Sequence, residues 1–217
     1  MGNRWLAWRM RWLAAADRRR LARLSRDHPG FRVDPQASSA LGTGTYHLYE
    51  GARVRLGPGV VTERRFDGLR VSVREDAELD IGENVWLRSD LAPVLLYVYP
   101  GARLEIGPES FLNGAMVSAK VGVKLGRGVW LGPGTRVFDA DQHDLDDATP
   151  ERRGPVEIGD HTWVAADVAV MRGVSIGAHC VIGSRSVVTS DIPPHSLAFG
   201  SPARVRGTVG DRSQVPI

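Results

Sequence analysis

At 217 residues the chain is long enough to bury a substantial core, as one large domain or as one domain with an arm. Its 42% hydrophobic content excludes wholesale disorder, and 25 glycines beside 7% aromatics suit short strands joined by tight turns. The single cysteine, Cys180, excludes an intrachain disulfide framework and fits a reducing compartment, while the net charge of +3 is unevenly spread along the chain.

Residues 1–26 hold eight arginines (Arg4, Arg9, Arg11, Arg18, Arg19, Arg20, Arg23 and Arg26) against one acid, Asp17, a net of +7 that leaves −4 for the remainder. The basic character therefore belongs to an arm, and with an acidic body no nucleic-acid partner is expected. Arginines interrupt the segment too often for a secretory signal, and no apolar run reaches the roughly 18 residues of a membrane span, so a cytoplasmic location is expected. Residues 1–30 read as a basic amphipathic helix with Leu6, Met10, Leu13, Leu21 and Leu24 along one stripe and Trp5, Trp8 and Trp12 on a second face. Two roles stay open for it: a cap docked on the end of a solenoid, and a helix lying on an anionic membrane surface. Residues 31–50 read as a linker or cap.

From residue 51 to 200 an internal period governs the chain. Aliphatic residues recur every six positions at Ile158, Val164, Val170, Ile176, Ile182 and Val188, with small or β-branched residues four places after the first five. A period of six fits neither a helix nor a plain alternating strand, but it fits three short strands making a triangular coil of eighteen. Aliphatic-glycine pairs mark the coil starts at Leu56, Ile81, Ile106, Leu125, Ile158 and Ile176, separated by 25, 25, 19, 33 and 18 residues. Each coil would bury its inward row only by stacking on neighbours, which predicts a mainly β solenoid, a parallel β-helix. Cys180 falls on a small inward position and reads as a packed hydrophobe. Trp86, Phe111, Trp130 and Trp163 share one hexad position and predict an aromatic ladder on one edge, either a subunit interface or the wall of a ligand site, or a surface covered by a local loop.

The separation of 33 is a coil plus 15 residues, and the excess lies in an acidic loop, residues 138–155, containing His143. Long loops on rigid scaffolds carry function disproportionately. Histidine is the side chain whose unperturbed pKa, about 6.5, suits proton abstraction from a hydroxyl near neutrality.

The stretch from Val137-Phe-Asp-Ala-Asp-Gln-His143 through Val187-Val-Thr-Ser-Asp-Ile-Pro-Pro-His-Ser-Leu-Ala-Phe-Gly-Ser-Pro-Ala-Arg204-Val resembles the hexapeptide-repeat O-acetyltransferases that act on sugars, the maltose and galactoside acetyltransferases and polysaccharide-modifying relatives among them. The resemblance covers roughly residues 102–207. It implies a left-handed parallel β-helix, a homotrimer with sites between subunits, and transfer of acetyl from acetyl-CoA, with no metal, to a hydroxyl of a sugar, glycan or lipid-linked saccharide. It makes His143 the general base and Asn113 an acceptor-binding residue, with Asp144 or Asp141 beside the imidazole. The acid usually found seven or eight positions after that asparagine is replaced here by Lys120 and Val121. Cofactor contacts map by motif to Trp163, Ala166, Ser184, Thr189, Ser190 and Arg204. Lysine is common in the family at position 190, and Arg185 or Arg206 is placed to compensate for its absence. Residues 201–217 read as a C-terminal tail.

Two rivals use the same scaffold. His143, His161 and His179 are spaced by 18 and 18, which invites a zinc hydratase of the γ-carbonic-anhydrase type, although His161 and His179 fall at turns and should point outward. A non-catalytic solenoid scaffold is the other.

Overall fold

The computed structural model describes residues 2–216; Met1 and Ile217, the outermost residues of the expected arm and tail, lie outside the described residues, as do the side chains of residues 2–4. Three sheets form the sides of a prism. The first side stacks Phe31–Val33, Arg53–Leu56, Glu78–Ile81, Arg103–Ile106, Gly122–Leu125, Val156–Ile158 and Ser175–Ile176. The second stacks Val61–Thr62, Trp86–Arg88, Phe111–Asn113, Trp130–Leu131, Trp163–Val164, Val181–Ile182 and Ser196–Gly200, and ends on Ala203–Thr208. The third stacks Thr45–Leu48, Leu69–Val73, Val94–Val98, Met116–Ala119, Arg136–Phe138, Ala169–Val170 and Val187–Val188. Every pairing is parallel except the last, Ser196–Gly200 with Ala203–Thr208, which turns back to close the open edge of the second side.

The residues counted as coil starts fall in register. Leu56 lies opposite Ile81, Ile81 opposite Ile106, Ile106 opposite Leu125, Leu125 opposite Ile158, and Ile158 opposite Ile176. Burial alternates along these strands, so each inward row meets its own kind in the coils above and below, and Leu79, Leu87, Leu104 and Leu112 are fully buried. The glycine after each start has a steric reason. A Cβ on Gly57 or Gly82 would stand 2.8 Å from the backbone of the next coil, closer than atoms pack, so the corner between first and second sides admits no side chain there. Cys180 packs in this interior with Sγ 3.1 Å from the Pro193 carbonyl oxygen, and burial pushes its thiol pKa up, which suits a packed hydrophobe.

Residues 31–50, expected as linker or cap, are the first coil of the solenoid. Phe31–Val33 and Thr45–Leu48 pair in parallel with the next coil, and a 3-10 helix, Ser39–Thr43, stands where a second-side strand would be, capped by Ser38. Helix α1, Gly2–Asp27, docks on this coil through its C-terminal half. Leu21 and Asp17 are buried, Leu24 packs on the core, and Asp17 pairs with Arg64 at 2.7 Å. The capping reading holds for that half. From Trp5 to Trp12 the helix is exposed on every side.

Candidate functional site

The loop after the third-side strand Arg136–Phe138 is an ordered hairpin. Ala140 bridges Arg153 in antiparallel fashion, the Asp141 N–H donates to the Arg152 carbonyl at 3.0 Å, and the tip closes between Asp146 and Thr149. Its root is fixed by Asp139, fully buried, whose carboxylate accepts the N–H groups of Lys120, Val121 and Gly122 at 2.7 Å each. Lys120 then reaches into the loop, donating to Glu151 Oε1 at 2.6 Å and to the Gln142 carbonyl at 3.0 Å, with the Tyr99 ring 4.9 Å away. Glu151 is 8% exposed and also pairs with Arg153 at 2.9 Å; the hydrogen bond from Lys120 is the largest cause that holds its carboxyl below its ordinary pKa. From the coil above, Arg172 pairs with Asp141 at 2.6 Å.

His143 stands exposed on this hairpin, next to Gln142, whose φ of +76° is in the left-handed region. Its imidazole has no intrachain hydrogen bond among the described residues, and neither acid expected beside it serves it. Asp144 accepts from the Glu151 N–H at 2.6 Å, and Asp141 is held by Arg172. The sequence reading noted Lys120 only as the replacement for an acid and did not name Glu151, because a pair 31 residues apart leaves no local pattern.

The other site residues fall into two groups. Asn113 ends a second-side strand, and its Oδ1 is buried without a hydrogen-bond partner. Its neighbour Gly114 stacks under Pro133 and Ala166 at the corner between second and third sides: the Gly134 N–H donates to Gly114, that of Asp167 to Pro133, and that of Arg185 to Ala166. Asn113, Ala166, Ser184 and Arg185 therefore share one corner, and the N–H groups of Ala166 and Ser184 donate to no acceptor among the described residues. Arg204 is exposed and lies opposite Phe199, whose side chain abuts Gly183 at the same corner, with Arg206 5.9 Å from the Phe199 ring. Trp163 lies on the outer face of the second side. Thr189 and Ser190 sit instead at the corner between third and first sides, as does the root of the hairpin that carries His143 and Asp144. One width of the third side separates the two groups within a single chain.

The aromatic ladder exists, with Trp86, Phe111, Trp130 and Trp163 in successive register, and its own chain partly covers it. The Arg212 guanidinium lies 5.2 Å from the Trp130 ring and 5.7 Å from that of Trp163, and Trp86 Nε1 donates to Glu63 at 2.9 Å. Local cover, the second of the two expected roles, accounts for these contacts. Past Thr208 the tail is likewise tied down: the Arg212 N–H donates to His179 Nδ1 at 3.1 Å.

His143 does not join His161 and His179. Those two stack with His195 at ring separations of 5.3 and 4.8 Å, each at a corner with φ near +56° to +59°. Parallel stacked imidazoles aim their nitrogens side by side, not at a common centre, so this ladder does not have the geometry of a zinc site.

Residues 155–190 match the family model described as bacterial transferase hexapeptide (six repeats). A Staphylococcus aureus (strain COL) protein named as an acetyltransferase is 58% identical over 55 residues, 25% of this chain and 28% of the relative, so the chain spans little more than a quarter of the first relatives it matches. The galactoside O-acetyltransferase of Escherichia coli (strain K12) is 30% identical over 149 residues, 67% of this chain and 71% of that protein. Among solved structures, the polySia specific acetyltransferase NeuO aligns with a TM-score of 0.59 at 23% identity, over 80% of this chain and 84% of that one. That likeness carries the fold, a left-handed parallel β-helix.

Proposed function

The chain belongs to the hexapeptide-repeat acetyltransferases, and from that membership we propose that it is an acetyl-CoA-dependent O-acyltransferase acting on a hydroxyl of a sugar, glycan or lipid-linked saccharide, with His143 as general base. The observation that carries the reading is the pinned hairpin, the longest loop between strands of the solenoid, which presents an imidazole free of intrachain partners among the described residues.

His143 takes the proton of the acceptor hydroxyl as its oxygen attacks the thioester carbonyl carbon. The C–O bond forms, the C–S bond breaks, and the departing thiolate takes the proton from the imidazolium. The unpaired Ala166 N–H faces the developing oxyanion, a donor already in place before charge develops. Asn113, with its unpartnered buried Oδ1, takes an acceptor hydroxyl as donor. Ser184, Arg185 and Arg204 line the path of the CoA phosphates, where a planar guanidinium binds well. Lys120 occupies the place of the family's acceptor-side acid and serves the loop instead.

Because Asn113 and Ala166 lie at one corner and His143, Thr189 and Ser190 belong to the next, the working unit of this proposal is a homotrimer, in which the hairpin of one copy reaches the corner of another. The lone, buried Cys180 supports a cytoplasmic location.

Free CoA released from acetyl-CoA over a panel of glycan acceptors tests the reading. His143→Ala should lower turnover by about 10²–10⁴-fold while the melting curve stays that of the parent protein. Undiminished turnover would remove His143 from the mechanism.

A further inference from the structure

The exposed half of α1 has a use that capping does not require. Trp5, Trp8 and Trp12 are 61%, 64% and 58% exposed, and Leu6 and Met10 are about half exposed, in a helix whose other half is well docked. At about 100° per residue the three indoles fall within a sector of about 60°, centred roughly 160° from the face that buries Asp17, Leu21 and Leu24. They therefore point away from the solenoid. Arg9 and Arg11 flank the indole sector on either side, and Arg19 and Arg23 continue it toward the body. The first sixteen residues contain no acid, and the charge of Asp17 is already spent on Arg64.

We infer that this face of α1 binds the surface of an anionic membrane, with the indoles at the level of the headgroups and the arginines on lipid phosphates. Together the three rings offer roughly 400 Å² of apolar surface, as large as the biggest patch on an ordinary monomer. Tryptophan beside arginine is the pairing that suits an interface apolar on one side and negatively charged on the other. A second copy of the helix is a poor occupant, because two acid-free arginine faces repel. No helix among the described residues is long and apolar enough to cross a membrane, so the helix lies on the surface. Since Trp5 is twelve residues before Asp17, the arm carries the contact about 18 Å along the helix from the docked half. The inference stands apart from the catalytic reading, since it needs neither His143 nor acetyl-CoA.

Co-sedimentation of the full chain with vesicles tests it, comparing phosphatidylcholine alone with a mixture containing about 30% phosphatidylglycerol. The protein should partition at least about tenfold better onto the anionic vesicles, and less well as salt rises. The triple variant Trp5→Ser, Trp8→Ser, Trp12→Ser should lose about tenfold in partitioning while keeping its melting curve and its mass by light scattering. Equal partitioning of variant and parent, or none of either on anionic vesicles, would overturn the inference. A fall in the mass of the variant would overturn it too, assigning the face to a second copy.

Discussion

Lys120 is the point at which the hairpin can be loosened without touching the solenoid. Lys120→Met keeps the aliphatic stem and removes the ammonium that Glu151 Oε1 meets at 2.6 Å and the Gln142 carbonyl at 3.0 Å. Breaking one side of a well-buried ion pair costs about 3–5 kcal/mol, because the remaining charge is left without a partner. Lys120 and Glu151 side chains are 12% and 8% exposed, a part-buried pair that falls short of that limit. Arg153 still holds Glu151 Oε2 at 2.9 Å, so the charge is only partly abandoned and about 2–3 kcal/mol is the expected loss. At about 1.4 kcal/mol per tenfold, the hairpin should open roughly 30- to 150-fold more often. Hydrogen exchange reads this directly, since the N–H groups of Asp141, Leu145 and Gly154 are bonded across the loop or to its root. Those amides should accelerate, while strand amides of the coils keep their parent rates. Unchanged loop exchange would refute the clamp. A uniform acceleration would instead make Lys120 a support of the whole solenoid.

Acid should loosen the same hairpin. The Glu151 pKa is lowered in the folded chain, so its stabilisation is complete above the unfolded value of about 4.3 and is lost as pH falls through the folded value. Loop exchange corrected for intrinsic rates should therefore rise below about pH 4, and Glu151→Gln should flatten that rise. At the root, Asp139→Ala takes the buried carboxylate away from three part-buried N–H groups, at about 1 kcal/mol each a loss of about 3 kcal/mol. For a chain of this length that lowers the melting temperature by roughly 6–12 °C, readable by calorimetry, and a shift under about 2 °C would show that the N–H groups find other acceptors.

The solenoid was legible because its inward positions are specified by side chains and its tight corners by glycine. Leu56, Ile81 and Ile106 recur with Gly57, Gly82 and Gly107 for one reason, that the next coil lies too close for a Cβ. The first coil was not legible, because the 3-10 helix Ser39–Thr43 carries no hexad and hides the turn it completes. His143 was visible as a break in the count, whereas the clamp that holds its loop was not. Lys120 and Glu151 meet only after the chain has folded back over 31 residues. The spacing of 18 between His161 and His179 was read correctly as a repeat of corners, and the third member of the stack, His195, lay off that spacing because the final coil is shorter.

The hairpin is rooted where a coil can least deform it. Every coil spends its strand N–H and carbonyl groups on the coils above and below, so an insertion can be anchored only at a corner, and a corner has neighbours on two sides. Both are used. Lys120, just past the coil below, grips the Gln142 carbonyl and Glu151, and Arg172, at the matching corner of the coil above, grips Asp141. These contacts fix residues 141, 142 and 151 and stop short of the His143 side chain. Among the described residues the chain thus holds the backbone of the loop and places no partner on the imidazole that would select its tautomer. On the proposed mechanism that selection falls to a group from outside the chain, the acceptor itself or an adjoining copy, so the imidazole is oriented only when the site is complete.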